Sequence, residues 1–220
     1  MKFENTEVWG FEHAIRGMRN PLESWDKSDS IFEDSLQCFN VIGENDLDLM
    51  QRLIKAGSEH RKFMRQIFVS VDITAPLYWW KEFDTYKIGT VANSTSTMHK
   101  LASTPITLDC FELDNSEKVE IDCLSQYIEN NADLWDYIVI VCEYLRQKYN
   151  ETKDKRYWKE LIRLLPESWL QTRTVTINYE NILSMIHQRK GHKLTEWSKD
   201  FIEWAESLPY ADKLLFYKGE

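Results

Sequence analysis

The hydrophobic positions change period several times along the chain. From Asn45 to Gly57, Leu47, Leu49, Met50, Leu53 and Ile54 recur at helical spacing, with Asn45 as a candidate N-cap and Gly57 as a stop; this predicts a helix. In IFVSVDIT, Ile67, Val69, Val71 and Ile73 share one face and Phe68, Ser70, Asp72 and Thr74 the other, the period of a strand. Pro76 then stands where a new helix can begin, and Leu77, Trp80, Phe83 and Tyr86 or Lys87 follow at helical intervals. Trp79 and Trp80, as neighbours on one helix, are expected not to face inward together. Six Ser and Thr residues between Thr85 and Thr97 predict a hydroxyl-rich loop after that helix.

The second half is mostly helical from Asn130 to Leu165, with Leu134, Ile138, Val141 and Leu145 on one stripe and Trp158, Leu161, Ile162 and Leu165 on another, and Pro166 ends the run. Between Gln171 and Asn178, Thr172, Thr174 and Thr176 alternate with Arg173, Val175 and Ile177, a second strand. YENILSMIHQRKG and LTEWSKDFIEWAESL predict two closing helices separated at Gly191. The fold class is therefore α+β: a helix-rich single domain spanning 1–220 with a small, mostly antiparallel sheet. No repeat, low-complexity run or Gly/Ser linker divides it.

Composition narrows the chemistry. A chain of 220 residues with 43% hydrophobic and 13% aromatic residues can bury a large core. Its net charge of -9 repels a phosphate backbone, so non-specific nucleic-acid binding is not expected. Cys38, Cys110, Cys123 and Cys142 are widely spaced, giving neither a zinc pattern nor a disulfide framework. His187 and His192 have no carboxylate at ligand spacing, which speaks against a metal site. No apolar run approaches the roughly 18 residues of a membrane span, and the N-terminus lacks the apolar core of a signal peptide. A soluble, cytoplasmic protein without membrane partners is the expectation. Arg16 and Arg19, in RGMRNPLESWDKSDS, would share a helix face that could meet an anion or pair with Glu23 or Asp26.

The order of these elements resembles that of the flavin-dependent thymidylate synthases. In that family a strand ending in A-P leads to the signature R-H-R-x-x-S-x-x-x-x-S-x-R. Counting from Ala75 and Pro76 places Thr85, Tyr86 and Lys87 at R-H-R, Thr90 and Thr95 at the two serines with Ser96 as an alternative, and Thr97 at the last arginine. Upstream, Gly57, Glu59 and Phe63 echo the family's G-H-E-x-P-F-E-H segment. Downstream, Leu165 and Pro166, the strand to Asn178, Glu180 and Asn181, Gln188 and Arg189, and His192 with Glu196 follow the family's order.

The resemblance implies a reaction in which reduced flavin delivers hydride and a folate delivers one carbon to dUMP. It places Arg189, Thr95, Ser96 and Arg163 at a pyrimidine deoxynucleotide, and Lys87, Tyr86, Thr90, Asn178 and His192 at FAD. It implies a homotetramer with active sites between subunits, and it leaves the catalytic residues unassigned. The departures matter because phosphates need fixed guanidinium forks. Thr85, Tyr86 and Lys87 keep one cation, Thr97 supplies none, and Glu180 reverses the charge of the N-x-R arginine. Two readings stay open: a synthase-like protein that still binds nucleotide, with weakened flavin, or a non-catalytic interaction protein that kept the fold and the oligomer.

Overall fold

The computed structural model describes residues 1–32, 41–113 and 134–218, with the side chains of Met98 and His99 excepted. Cys38, Cys123 and the start of the predicted 130–165 helical region lie outside the described residues. The strands are β1 (Lys2–Trp9), β2 (Phe68–Pro76), β3 (Val91–Ser94) and β4 (Leu170–Asn178), in the order β1-β2-β4-β3. The fold is helix-rich with this small antiparallel sheet. Side-chain pairs show the register: Asn5 donates to Asp72 at 2.8 Å while Trp9 stacks on Phe68, so one strand climbs as the other descends.

The period-2 pattern of β2 is realised as read. Ile67, Val69, Val71, Ile73 and Ala75 are buried, and the intervening residues are half-exposed. Asp72 and Thr74 meet Thr174 and Thr172 of β4 through hydroxyls at 2.6 and 2.7 Å. Pro76 ends β2, and a new helix begins at the next residue, Leu77. β1 went unpredicted because it carries Lys2, Glu4, Asn5, Thr6 and Glu7 and is exposed along most of its length.

The chain forms two compact units. One comprises Thr74–Phe83 and Ser94–Arg173 with Met1, the other Lys2–Ile73, Asp84–Asn93 and Thr174–Glu220. In the first unit, α3 (Leu77–Phe83) is short and ends before Tyr86 and Lys87. Both Trp79 and Trp80 are buried, against expectation. Seven residues make barely two turns, and the rings cover one another: Trp79 stacks on Phe83, Trp80 meets both edge-on, and the Arg173 guanidinium closes over Trp80 at 4.2 Å. The expected loop beyond Lys87 contains β3 and the short α4 (Thr97–Lys100). α5 (Leu134–Thr152) and α6 (Lys155–Leu164) form a hairpin, turned at Lys153 with φ 56° and capped where Asp154 accepts from the Arg156 N–H. Leu101, Ile106, Phe111, Cys142, Leu145 and Leu161 make the core of this unit.

The second unit packs α1 (Phe11–Arg19), α2 (Glu44–Lys55) and α7 (Tyr179–Arg189) with a π-helical stretch Glu196–Phe201, α8 (Ile202–Glu206) and α9 (Ala211–Leu214). The cap of α2 is Gly43, not Asn45, and the missing side chain is supplied from a distance. Asp29 accepts from the N–H groups of Asn45 and Asp46 at 3.0 and 3.1 Å. Gly57 takes the left-handed φ of 105° that stops the chain after α2. The last predicted helix is divided because Glu196–Phe201 widens to π geometry before α8.

Arg19 is not a surface cation for an anion, nor a partner of Glu23 or Asp26. It is 3% exposed and donates from Nε to Asp46, itself 0% exposed, at 2.6 Å. The remaining lone pairs of Asp46 are filled by the hydroxyls of Ser28 and Ser30 and the N–H groups of Asp29 and Ser30. The purposeful look of Arg16 to Ser30 is that of a structural knot. Among the described residues no helix is long and apolar enough to cross a membrane.

Candidate functional site

In the second unit the candidate residues are strung along α7. Asn178 ends β4 in extended geometry, so its side chain falls back on the first turn and Oδ1 accepts from the Asn181 N–H at 3.0 Å. Asn181 in turn donates to the Ile88 carbonyl and to Thr90 Oγ1, tying the 84–93 segment to the helix start. Gly89 makes that approach possible. It has φ 74°, and a Cβ there would stand 2.8 Å from Asn178 Nδ2.

At the other end of α7, Arg189 Nε donates to the Tyr86 hydroxyl at 2.9 Å, and that hydroxyl donates to Gln188 at 3.0 Å. The guanidinium also lies over the rings of Tyr86 and Trp197, with centroids at 5.5 and 4.8 Å. A planar cation packed against two aromatic rings and bonded through Nε is held in position. His192 Nδ1 accepts from the Leu194 N–H at 3.2 Å, which leaves Nε2 as the proton-bearing nitrogen of the neutral ring. Lys87 is exposed.

Glu180, the charge reversal, is neutralised from within. Arg61 Nε donates to both of its oxygens at 3.1 and 2.9 Å, with both side chains largely buried. Eleven residues of α7 place the Asn178 and Thr90 end about 16 Å from the Tyr86, Arg189 and His192 end. Five of the six candidates of this unit thus fall into two groups.

The other candidates belong to the first unit. Thr95 bonds through its backbone: its N–H donates to the Thr172 carbonyl and its carbonyl accepts from Gln171 Nε2, both at 2.9 Å. Its side chain is exposed, and Ser96 is half-exposed beside it. Arg163 lies on an exposed face of α6, paired with Glu160 one turn back at 2.9 Å. Arg173, which sequence reasoning did not single out, is fixed by Gln171 Oε1 at 2.9 Å and by the Trp80 ring. Its only signal was an arginine among threonines on a strand. Arg61 and Trp197 were likewise missed, since their roles depend on partners more than a hundred residues away or across a turn.

Among the residues that the family resemblance would give to flavin, the Tyr86 O–H donates to Gln188, Asn178 caps α7 through its acceptor Oδ1, and Lys87 is exposed. Among the described residues no three His, Cys, Asp or Glu side chains converge as a metal site.

No family model and no curated protein matches this sequence. Solved structures do. Two crystal structures of the flavin-dependent thymidylate synthase ThyX from Helicobacter pylori, both with FAD and dUMP and one at 2.31 Å resolution, superpose with a TM-score of 0.67 at 17% identity. Each covers 98% of this chain, and 98% and 97% of the respective ThyX chains are matched. The likeness extends from end to end, and at this identity it is a likeness of fold: the protein has the ThyX-like architecture.

Proposed function

We propose that the protein is a divergent ThyX-like protein, lacking the R-H-R signature, that binds a pyrimidine deoxynucleotide of the dUMP type. Arg189 receives the phosphate in this reading. The observation that carries it is the guanidinium of Arg189 clamped by Tyr86 and Trp197. A pre-oriented fork loses little entropy on meeting a phosphate. The full-length likeness to chains that hold FAD and dUMP supports the ligand class. Thr95 and Ser96 are the hydroxyl donors of this reading, and Arg163 enters it only by exchanging Glu160 for the nucleotide.

Flavin is a weakened second ligand, through Lys87, Tyr86, Thr90, Asn178 and His192. Folate and methyl transfer enter only if flavin is retained. The protein is expected to work in the cytoplasm as a homotetramer. Thermal unfolding with and without dUMP tests the proposal: dUMP should raise Tm by mass action, and Arg189→Ala should remove most of the rise. The exchange of R-H-R for Thr85, Tyr86 and Lys87 favours a second reading, a non-catalytic interaction protein on the same fold. Absence of any Tm shift with dUMP or FAD, together with a tetramer in light scattering, would select it.

A further inference from the structure

A cavity of about 580 Å³ opens in the second unit between the ends of α2 and α7 and the segment after α9. Its floor is apolar and well buried, formed by Ile54, Leu183, Ile186 and Leu215, with Phe216 and Tyr217 at one wall. The rim is basic: Lys55, Lys190, Lys218, Arg61 and His187 line it, and among the described residues no carboxylate does. In a chain whose net charge is -9, that concentration of cations is a local exception.

Helix ends account for part of the rim. Lys55 and Lys190 sit where the C-terminal dipoles of α2 and α7 attract cations. Arg61 answers Glu180. Neither account reaches Lys218, which follows α9 and, like Lys190, makes no ion pair among the described residues. Counting Lys190 and Lys218 against the α7 dipole end of about half a charge leaves roughly one and a half net positive charges at the mouth. A volume in the range of small-molecule sites, an apolar floor and more than one positive charge complement one kind of ligand. We propose that this cavity binds a small aryl phosphate, with the ring on Leu183, Ile186 and Phe216 and the phosphate at Lys190 and Lys218.

The site does not depend on the nucleotide reading, because Arg189 is not among its lining residues. Calorimetric titration of the full chain with 1-naphthyl phosphate tests it. One saturable site is expected, with 1-naphthol and inorganic phosphate each binding at least about tenfold more weakly, since each supplies half of the recognition. Lys190→Glu with Lys218→Glu, both exposed and compatible with folding, should weaken 1-naphthyl phosphate by more than about tenfold. Arg189→Ala should leave that titration unchanged even if it abolishes the response to dUMP. No saturable heat with 1-naphthyl phosphate, unchanged binding in the double variant, or loss of binding in Arg189→Ala would each overturn the proposal.

Discussion

Asp46→Asn is the sharpest perturbation the structure offers, because it removes one charge and almost no volume. The carboxylate is 0% exposed and accepts five hydrogen bonds: from Arg19 Nε at 2.6 Å, Ser28 Oγ at 2.8 Å, Ser30 Oγ at 2.6 Å, and the N–H groups of Asp29 and Ser30 at 3.1 Å. Asparagine keeps one acceptor oxygen and turns an NH₂ toward groups that are themselves donors. It also leaves the buried Arg19 guanidinium without its counter-charge. Removing one partner of a buried pair costs about 3–5 kcal/mol, and the retained oxygen puts Asp46→Asn near the lower figure.

At about 2–4 °C per kcal/mol for a chain of this size, Tm should fall by roughly 6–12 °C. The reverse deletion, Arg19→Met, should cost less. Asp46 would still accept the four bonds from residues 28–30, and of the carbonyls that Arg19 releases the one at Lys27 is only part-buried. Circular dichroism melts give the two shifts, and amide exchange should open first at residues 28–30 and at the start of α2, where Asp29 makes the cap. A fall under about 2 °C for Asp46→Asn, or a larger fall for Arg19→Met, would refute the reasoning that this knot is organised around the carboxylate.

The same carboxylate makes stability acid-sensitive. Burial pushes the Asp46 pKa up, but bonds from Ser30, Ser28 and Arg19 outweigh this and hold it below 3.8. Glu143, bonded by Arg146 against the opposing effect of burial, with further bonds from the Ile106 N–H and Gln147, is lowered from 4.5 to about 2. Groups with depressed folded pKa values stabilise above their unfolded values, so stability should be flat above pH 4.5 and fall as pH drops toward 2, with Glu143→Gln flattening that fall in urea titrations. Gly10→Ala should lower Tm by more than about 1 kcal/mol in equivalent stability, since φ is 98° and a Cβ would collide with the Gln66 carbonyl; an unchanged melt would show that the turn can relax. Tyr86→Phe removes the hydroxyl that accepts from Arg189 but keeps the ring, so the dUMP-induced Tm shift should persist where Arg189→Ala loses it; equal loss in both would assign the nucleotide contact to Tyr86. The purified protein should carry substoichiometric flavin by visible absorbance, and Thr85→Arg with Lys87→Arg should raise the bound fraction; a full complement of FAD in the unaltered chain would contradict the proposal that flavin is a weakened ligand.

Local periodicity determined the elements whose two faces differ strongly. The alternation of Ile67, Val69, Val71 and Ile73 settled β2, and the Leu and Ile stripe of α2 settled that helix, because burial of one face dominates their energetics. The order of elements also carried the architecture. β1 was not legible, since a mostly exposed edge strand has no buried face to announce it. Asn45 misled as a cap because the acceptor for the α2 terminus comes from Asp29, sixteen residues earlier.

The pairings that decide the site are of that second, long-range kind. Arg19 with Asp46, Arg61 with Glu180, Arg173 with Trp80 and Arg189 with Tyr86 are each separated by 27 to 119 positions. The sequence alone shows these four as arginines like any others in an acidic chain. Only the folded backbone decides which is neutralised and which is stacked on aromatic rings, because a guanidinium's role is set by the charges and rings within a few ångströms, and chain closure over such separations leaves no local pattern.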